Sequence, residues 1–270
     1  MKRRDSNLIH KSRCGRMPVE VVEMRGYRAL YFGSQLRQSC MKVDEPERLV
    51  LPYSRGMTAP LLFLSKLERV LMVGLGGGSL ARFFRYYFPQ TAIDVVELSP
   101  RVVSVAREYF AVVPDDKLTI ETGDGAVFLR EADRGRFSGY DLILVDAFGR
   151  KGMASSVYAD AFFQSAVERL APGGIVSVNA WRGDTERWEI ASRALRRAFD
   201  GRMMRMMISR ETGNEVLMGL SAADSPWRDH AALERRAALL ERSLKVEYHD
   251  FLLKLRKGNA PLLRRWLPWL

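Results

Sequence analysis

The sequence predicts a doubly wound, Rossmann-like α/β domain, flanked by a small N-terminal β-hairpin region and a C-terminal helical extension. Three observations predict it. An apolar run, Val70-Leu71-Met72-Val73, enters a glycine-dense turn, Gly74-Leu75-Gly76-Gly77-Gly78-Ser79, that opens a helix. A second apolar run over residues 92–96 ends on the acid Glu97, nineteen residues after Gly78. Two more strand-like runs deliver Asp124 and Asp146 at their carboxyl ends. In such a fold, glycines let the backbone approach a nucleotide, an acid ending the second strand reaches ribose hydroxyls, and ligands sit beyond the carboxyl ends of the strands. A tight turn for helix–sheet packing, with nothing bound, is the competing explanation of the glycines.

Each element follows from the pattern of apolar residues. Residues 19–24 and 27–32 alternate in the manner of antiparallel strands, with Arg25-Gly26 between them. A helix follows Ser54, with Ala59, Leu62, Phe63 and Leu67 on its apolar side, and Pro60 delays its regular part. Residues 70–73 and 92–97 are the first two strands of the α/β unit, with a helix over 80–88 between them. Residues 118–122 lead into Gly123-Asp124-Gly125 as the third strand, and 140–145 form the fourth. A helix over 158–170, the turn Pro172-Gly173-Gly174 and a fifth strand ending near Asn179 come next. A helix over 184–199 precedes a closing strand pair, 203–208 and 215–220, whose methionines read as core packing. From 231 to about 257, Leu233, Ala237, Leu240, Leu244, Tyr248 and Phe251 recur at helical spacing. The division is therefore a basic disordered tail (1–17), an N-terminal β region with its linking helix (18–65), a nucleoside-binding α/β domain (66–221) and a basic amphipathic helical extension (222–270).

Composition narrows the function classes. The net charge of +11 is concentrated at the ends: residues 1–16 and 226–270 each carry +5, leaving +1 between them. Solvated, packing tails are favoured over contacts with nucleic acid or a membrane surface, although the Trp- and Arg-bearing end, 261–270, has the composition of a surface binder. Cys14 and Cys40 make no disulfide framework, and reduced thiols fit a cytoplasmic setting. His10, His230 and His249 lack ligand spacing, so no metal is expected. No apolar run spans a bilayer, and no apolar stretch follows the basic start as in a secretory signal.

The glycines fall at Gly74, Gly76 and Gly78, the alternate spacing of S-adenosylmethionine proteins, and Ser79 stands where a dinucleotide fingerprint has its last glycine. From about residue 20 to 220 the chain resembles the spermidine synthase (polyamine aminopropyltransferase) family, on the S-adenosylmethionine methyltransferase fold. The resemblance is carried by Gly33-Ser34-Gln35-Leu36-Arg37-Gln38-Ser39, Leu51-Pro52-Tyr53-Ser54-Arg55-Gly56-Met57, the glycine turn, Val96-Glu97-Leu98, Gly123-Asp124-Gly125 and Val145-Asp146. It implies that Glu97 holds the ribose, Asp124 the adenine amino group and Gln38 the thioether end. Gly74, Gly76, Gly78, Leu98 and Gly125 complete the donor site. Tyr53 lines the acceptor channel, and Asp146 faces the transferring group as catalytic base. The implied donor is S-adenosylmethionine or its decarboxylated form, the acceptor a small-molecule amine, and the assembly a homodimer. Plainer roles compete: Asp124 as a helix cap, Tyr53 as a core aromatic, Gln35 in place of Gln38, and Trp181 as a rim aromatic instead of an acceptor wall.

Two departures stand out. Gly77 occupies the place of the acid that grips the aminopropyl ammonium in polyamine-making members, and Gly149 that of the second acid of an Asp-x-x-Asp pair. The aromatic acceptor-recognition segment is not recognisable over 203–220. A sulfonium donor and a polycationic acceptor repel each other, and carboxylates in a partly dry site offset that repulsion. With one acid where the family has three, the expectation is an undecarboxylated donor or an acceptor other than putrescine. An S-adenosylmethionine methyltransferase acting on a small molecule or RNA, and a non-catalytic nucleoside binder, are the alternatives.

Overall fold

The structure is a computed structural model that describes residues 7–149, 152–209, 211, 213–221 and 229–266, with side chains described as far as 259. Four antiparallel strands come first: β1 (Asn7–Cys14), β2 (Met17–Met24), β3 (Tyr27–Tyr31) and β4 (Arg37–Lys42). The expected disordered tail is therefore corrected over most of its length, since β1 occupies 7–14. Its charges line the exposed face of a strand: Lys11 pairs with Glu20 of β2 at 3.0 Å. The other face packs, with the His10 ring 4.8 Å from that of Tyr109 and Ile9 and Cys14 against the core beneath. Residues 1–6 lie outside the described residues.

The expected linking helix is broken into two pieces, α1 (Pro52–Gly56) and a 3-10 turn over Ala59–Leu62. Pro52 fits the first turn of α1, whereas Pro60 cannot donate within a continuous helix and so opens a new turn.

The α/β unit then runs β5 (Arg69–Val73), α2 (Ser79–Tyr87), β6 (Ala92–Glu97), α3 (Pro100–Tyr109), β7 (Leu118–Thr122), α4 (Gly125–Glu131) and β8 (Tyr140–Val145). A short hairpin, β9 (Phe148–Gly149) and β10 (Gly152–Met153), leads to α5 (Asp160–Arg169), β11 (Leu170–Trp181) and α6 (Thr185–Ala198). The unit closes with β12 (Met203–Met207) and β13 (Asn214–Leu220). These strands form one seven-stranded sheet in the order β12-β13-β11-β8-β5-β6-β7. β7, β6, β5, β8 and β11 are parallel, and β13 runs antiparallel to both β11 and β12. Chain order reverses between β5 and β8, the crevice where open α/β sheets take ligands. Val70, Met72, Leu142 and Leu144 fill one layer of core, and Leu71, Val73, Ile143 and Val145 the other. That strict alternation on doubly covered strands is the packing reason for the apolar runs read above.

The C-terminal extension is two helices, α7 (His230–Leu244) and α8 (Tyr248–Trp266), where continuous helical spacing was read. Leu244, Val246 and Tyr248 are all buried, a two-residue spacing that a single helix cannot turn to one side, and the chain reverses at Lys245 with φ +56°. α8 kinks at Asn259, whose buried carboxamide accepts from Arg205 N (2.9 Å) and donates to Arg205 O (2.8 Å). Asn259 thus closes part of the open edge of β12. The end segment over 267–270 lies outside the described residues. Among the described residues, no helix is long and apolar enough to cross a membrane.

Candidate active site

The glycine turn is built for close approach. Gly74, at φ +98°, passes so near β8 that an added Cβ would stand 2.2 Å from Asp146 O. This brings the turn and Asp146 to the same strand-end crevice. Buried Arg82 of α2 ties the turn from behind: its guanidinium donates to the carbonyls of Gly77, Phe110 and Pro46. Burial pushes that guanidinium down to about 10.

Glu97 ends β6 beside the turn. Its Oε2 accepts from Leu75 N and its Oε1 from Ser99 N, both at 2.9 Å. Burial raises its carboxyl above the usual range, and backbone N–H groups of Leu75, Ser99, Gly76 and Leu98 oppose that rise. The next residue, Leu98, is an apolar side chain left 66% exposed. Asp124 is a helix cap: its Oδ1 accepts from Ala126 N (2.8 Å) and Val127 N (3.1 Å) at the start of α4. Among the described residues its Oδ2 meets only Ser156 Oγ, at 3.3 Å, so one oxygen keeps acceptor capacity. Gly125 lets α4 start against β5, since a Cβ there would meet Val73 Cγ1 at 2.4 Å.

Asp146 lies just past β8. Its Oδ1 accepts from Asn179 Nδ2 at 2.9 Å. The Tyr53 hydroxyl has two acceptors in reach, the Asp146 carboxylate and the Gln38 carbonyl at 2.7 Å. Burial pushes the Asp146 carboxyl up to about 6, helped by the negative charge of Glu97, while Asn179 and Tyr53 pull it back. Burial and the neighbouring Asp146 keep Tyr53 a neutral phenol. Ser39, Tyr53, Gly74, Leu75, Ser79 and Asp146 line a small enclosed pocket at this point.

Of the residues singled out from sequence, Gly74, Glu97, Tyr53 and Asp146 are brought together. Gln38 joins through its backbone carbonyl: it is the extra residue of a bulge, between the pairs Leu30↔Ser39 and Tyr31↔Arg37. Trp181 is half-buried and packs against the core on the far face of the sheet. Ser39, Asn179 and Asn214 were not assigned from sequence. Ser39 Oγ accepts from Gly77 N at 2.8 Å, and Asn214 Nδ2 donates to Asn179 Oδ1 at 3.1 Å. The available signal was a polar residue ending the apolar run of the fifth strand. Gly77 and Gly149 differ physically. A Cβ at Gly77 would stand 2.8 Å from Ser39 Cβ and 3.2 Å from Phe110 Cδ1, whereas one at Gly149 meets nothing within 4 Å among the described residues. Among the described residues, no three His, Cys, Asp or Glu side chains are grouped to hold a metal ion.

Sheet order, glycine turn and strand-end acids define the doubly wound fold of S-adenosylmethionine methyltransferases and spermidine synthases. Residues 53–198 match the spermine/spermidine synthase domain. A polyamine aminopropyltransferase of Chromobacterium violaceum is 34% identical over 244 residues, covering 89% of this chain and 90% of that protein. The chain belongs to the spermine/spermidine synthase family. A crystal structure of spermidine synthase with the transition-state analogue AdoDATO superposes with a TM-score of 0.73 at 14% identity, covering 97% of this chain and 89% of that one. Human methyltransferase-like protein 13, in complex with SAH, superposes with a TM-score of 0.59 at 26% identity, covering 72% and 89%.

Proposed function

We propose that this chain transfers an alkyl group of aminopropyl type from an S-adenosyl sulfonium donor to an amine, with Asp146 as the base. The observation that carries the proposal is the buried Asp146 carboxyl, raised to about 6 and held between Tyr53 and Asn179 at the sheet's switch point. An attacking amine must first lose a proton, and a positioned carboxylate ionised near neutral pH can take it. The amine lone pair then forms the new C–N bond, the C–S bond breaks, and its electron pair stays on sulfur as a neutral thioether. Alignment of nitrogen and donor carbon supplies much of the rate.

In this reading Glu97 takes the ribose hydroxyls, the remaining Asp124 oxygen the adenine amino group, and Leu98 and Gly125 border the base. Gly74, Gly76 and Gly78 admit the nucleoside, and the Gln38 bulge borders the sulfur. Such a donor fits the residues present, which offer a glycine turn too tight for side chains and two acids at its rim. Family membership and the polyamine aminopropyltransferase relative support transfer to an amine.

A second reading, transfer from intact S-adenosylmethionine, is favoured by one observation. The space beside Gly77 is filled by Ser39 and Phe110, so no acid stands there to repel the donor's carboxylate. The likeness to a methyltransferase-like protein crystallised with SAH points the same way. Replacing Asp146 by Asn tests the shared core of both readings. Turnover should fall by about 10²-fold or more while methylthioadenosine affinity holds, and undiminished turnover would remove Asp146 from the mechanism.

A further inference from the structure

Three neighbouring strand ends carry polar side chains on one face. β8, β11 and β13 adjoin in the sheet, and side chains two apart on a strand share a face. Asp146, Asn179 and Asn214 stand on the side covered by α1, where Ser177 Oγ meets Met57 Sδ and Gly56 packs on Ile208 and Val216. Asn179 is 2% exposed, and its carboxamide is used at both ends: Nδ2 donates to Asp146, and Oδ1 accepts from Asn214.

A carboxamide has one accepting and one donating end, so the Asp146 carboxylate and the Nδ2 donor of Asn214 select the same orientation of Asn179. Turned over, Asn179 would set its carbonyl oxygen against a carboxylate oxygen, two acceptors in contact, and leave Asn214 Nδ2 facing another N–H donor. Asn214 is itself held by its backbone. It pairs across the sheet with Trp181, and its carbonyl accepts from Ile208 N at 2.9 Å, at the base of the β12–β13 turn.

We propose that Asn214 is a positioning residue: by holding Asn179 Oδ1 it keeps Asn179 Nδ2 on Asp146, and so sets the orientation and proton affinity of that carboxylate from two strands away. That Asp146 is the base rests on the reading above; the relay itself does not. The other titratable groups acting on Asp146 are Tyr53 on α1, Glu97 at the end of β6, and Tyr158 before α5, whose hydroxyl donates to Asn179 O at 3.3 Å.

The test follows the Asp146 carboxyl itself, so it needs no substrate. Protein labelled with ¹³C at aspartate carboxyls is titrated, and Asp146→Asn assigns the signal. Asn214→Asp keeps the shape but replaces the donor by an acceptor, which then competes with Asp146 for the one donating end of the Asn179 amide. The Asp146 midpoint should rise by about one pH unit or more. The added charge alone would also raise it, so the same substitution is made in an Asn179→Leu background. There the relay predicts less than half the shift. Asn214→Leu, which adds no charge, should raise the midpoint by a smaller amount and serves if Asn214→Asp fails to fold. An Asp146 midpoint unchanged in these variants, or an equal shift without Asn179, overturns the relay. A shifted titration in a protein that turns over no donor upholds the relay and removes the transferase reading; turnover with an unmoved titration does the reverse.

Discussion

Ser39 Oγ accepts a hydrogen bond from the amide of Gly77 at 2.8 Å, so a residue of the N-terminal sheet occupies the space that a side chain at position 77 would need. The glycine turn and β4 are fitted to each other. Gly77→Asp should therefore cost about 1–3 kcal/mol of stability through overpacking. Ser39→Gly, which removes the Cβ in the way, should return part of that loss. Chemical denaturation of the two single variants and the double variant checks both. An Asp at position 77 that is neutral on its own would contradict the fit.

Gly149 is the opposite case, because among the described residues nothing stands within 4 Å of a Cβ added there. Gly149→Asp should leave stability within about 0.5 kcal/mol of wild type, as surface changes usually do. If the acceptor enters beside Asp146, the added carboxylate should also tighten putrescine binding, read by calorimetry at low salt and weakening as salt screens the pair.

The raised Asp146 carboxyl has consequences for stability as well as for rate. Its folded-state value of about 6 lies above the ordinary one near 3.9, so protonation favours the folded protein. The stability it contributes is complete below about pH 4 and is lost as pH rises through about 6. Relative to Asp146→Asn, wild type should lose on the order of 1–3 kcal/mol over that interval. Denaturation midpoints for the pair at pH 4, 5, 6 and 7 measure the difference, and parallel curves would contradict burial of this acid. The same ionisation predicts an acid limb near pH 6 in the pH–rate profile.

At the far edge of the sheet, Asn259 stands in for a missing strand neighbour of Arg205. Asn259→Ala leaves a partly buried N–H and C=O of β12 without these partners, at a cost of about 1–2 kcal/mol. Asn259→Asp keeps the acceptor for Arg205 N but loses the donor, and should recover part of the loss. Thermal unfolding of the two variants checks the order.

The fold was legible because the α/β unit repeats one physical pattern, strands apolar on both faces ending on glycine or acid. Glu97, Asp124 and Asp146 could be placed at one rim before any coordinates were known. Where local signals conflicted, the reading failed. The charges of β1 hid a strand whose partner face is supplied by α3, and the periodicity of α7 and α8 concealed the reversal at Lys245. The amides went unread for a different reason. Asn179 and Asn214 matter only through each other and Asp146, and that relation exists once β11 lies between β8 and β13. Ser39 likewise gains its place from a turn 38 residues along the chain.

Calorimetric titration decides whether the crevice beyond β5, β6 and β8 takes an adenosyl sulfonium donor. Methylthioadenosine, S-adenosylmethionine and its decarboxylated form would be titrated in parallel against the full chain. A donor site there requires saturable binding of methylthioadenosine at one site per chain, abolished by Glu97→Ala, with at least one of the two donors binding at the same site. Tighter binding of the decarboxylated donor sustains aminopropyl transfer, and tighter binding of the intact donor selects the second reading. Binding of none of the three would rule out a nucleoside site in the crevice.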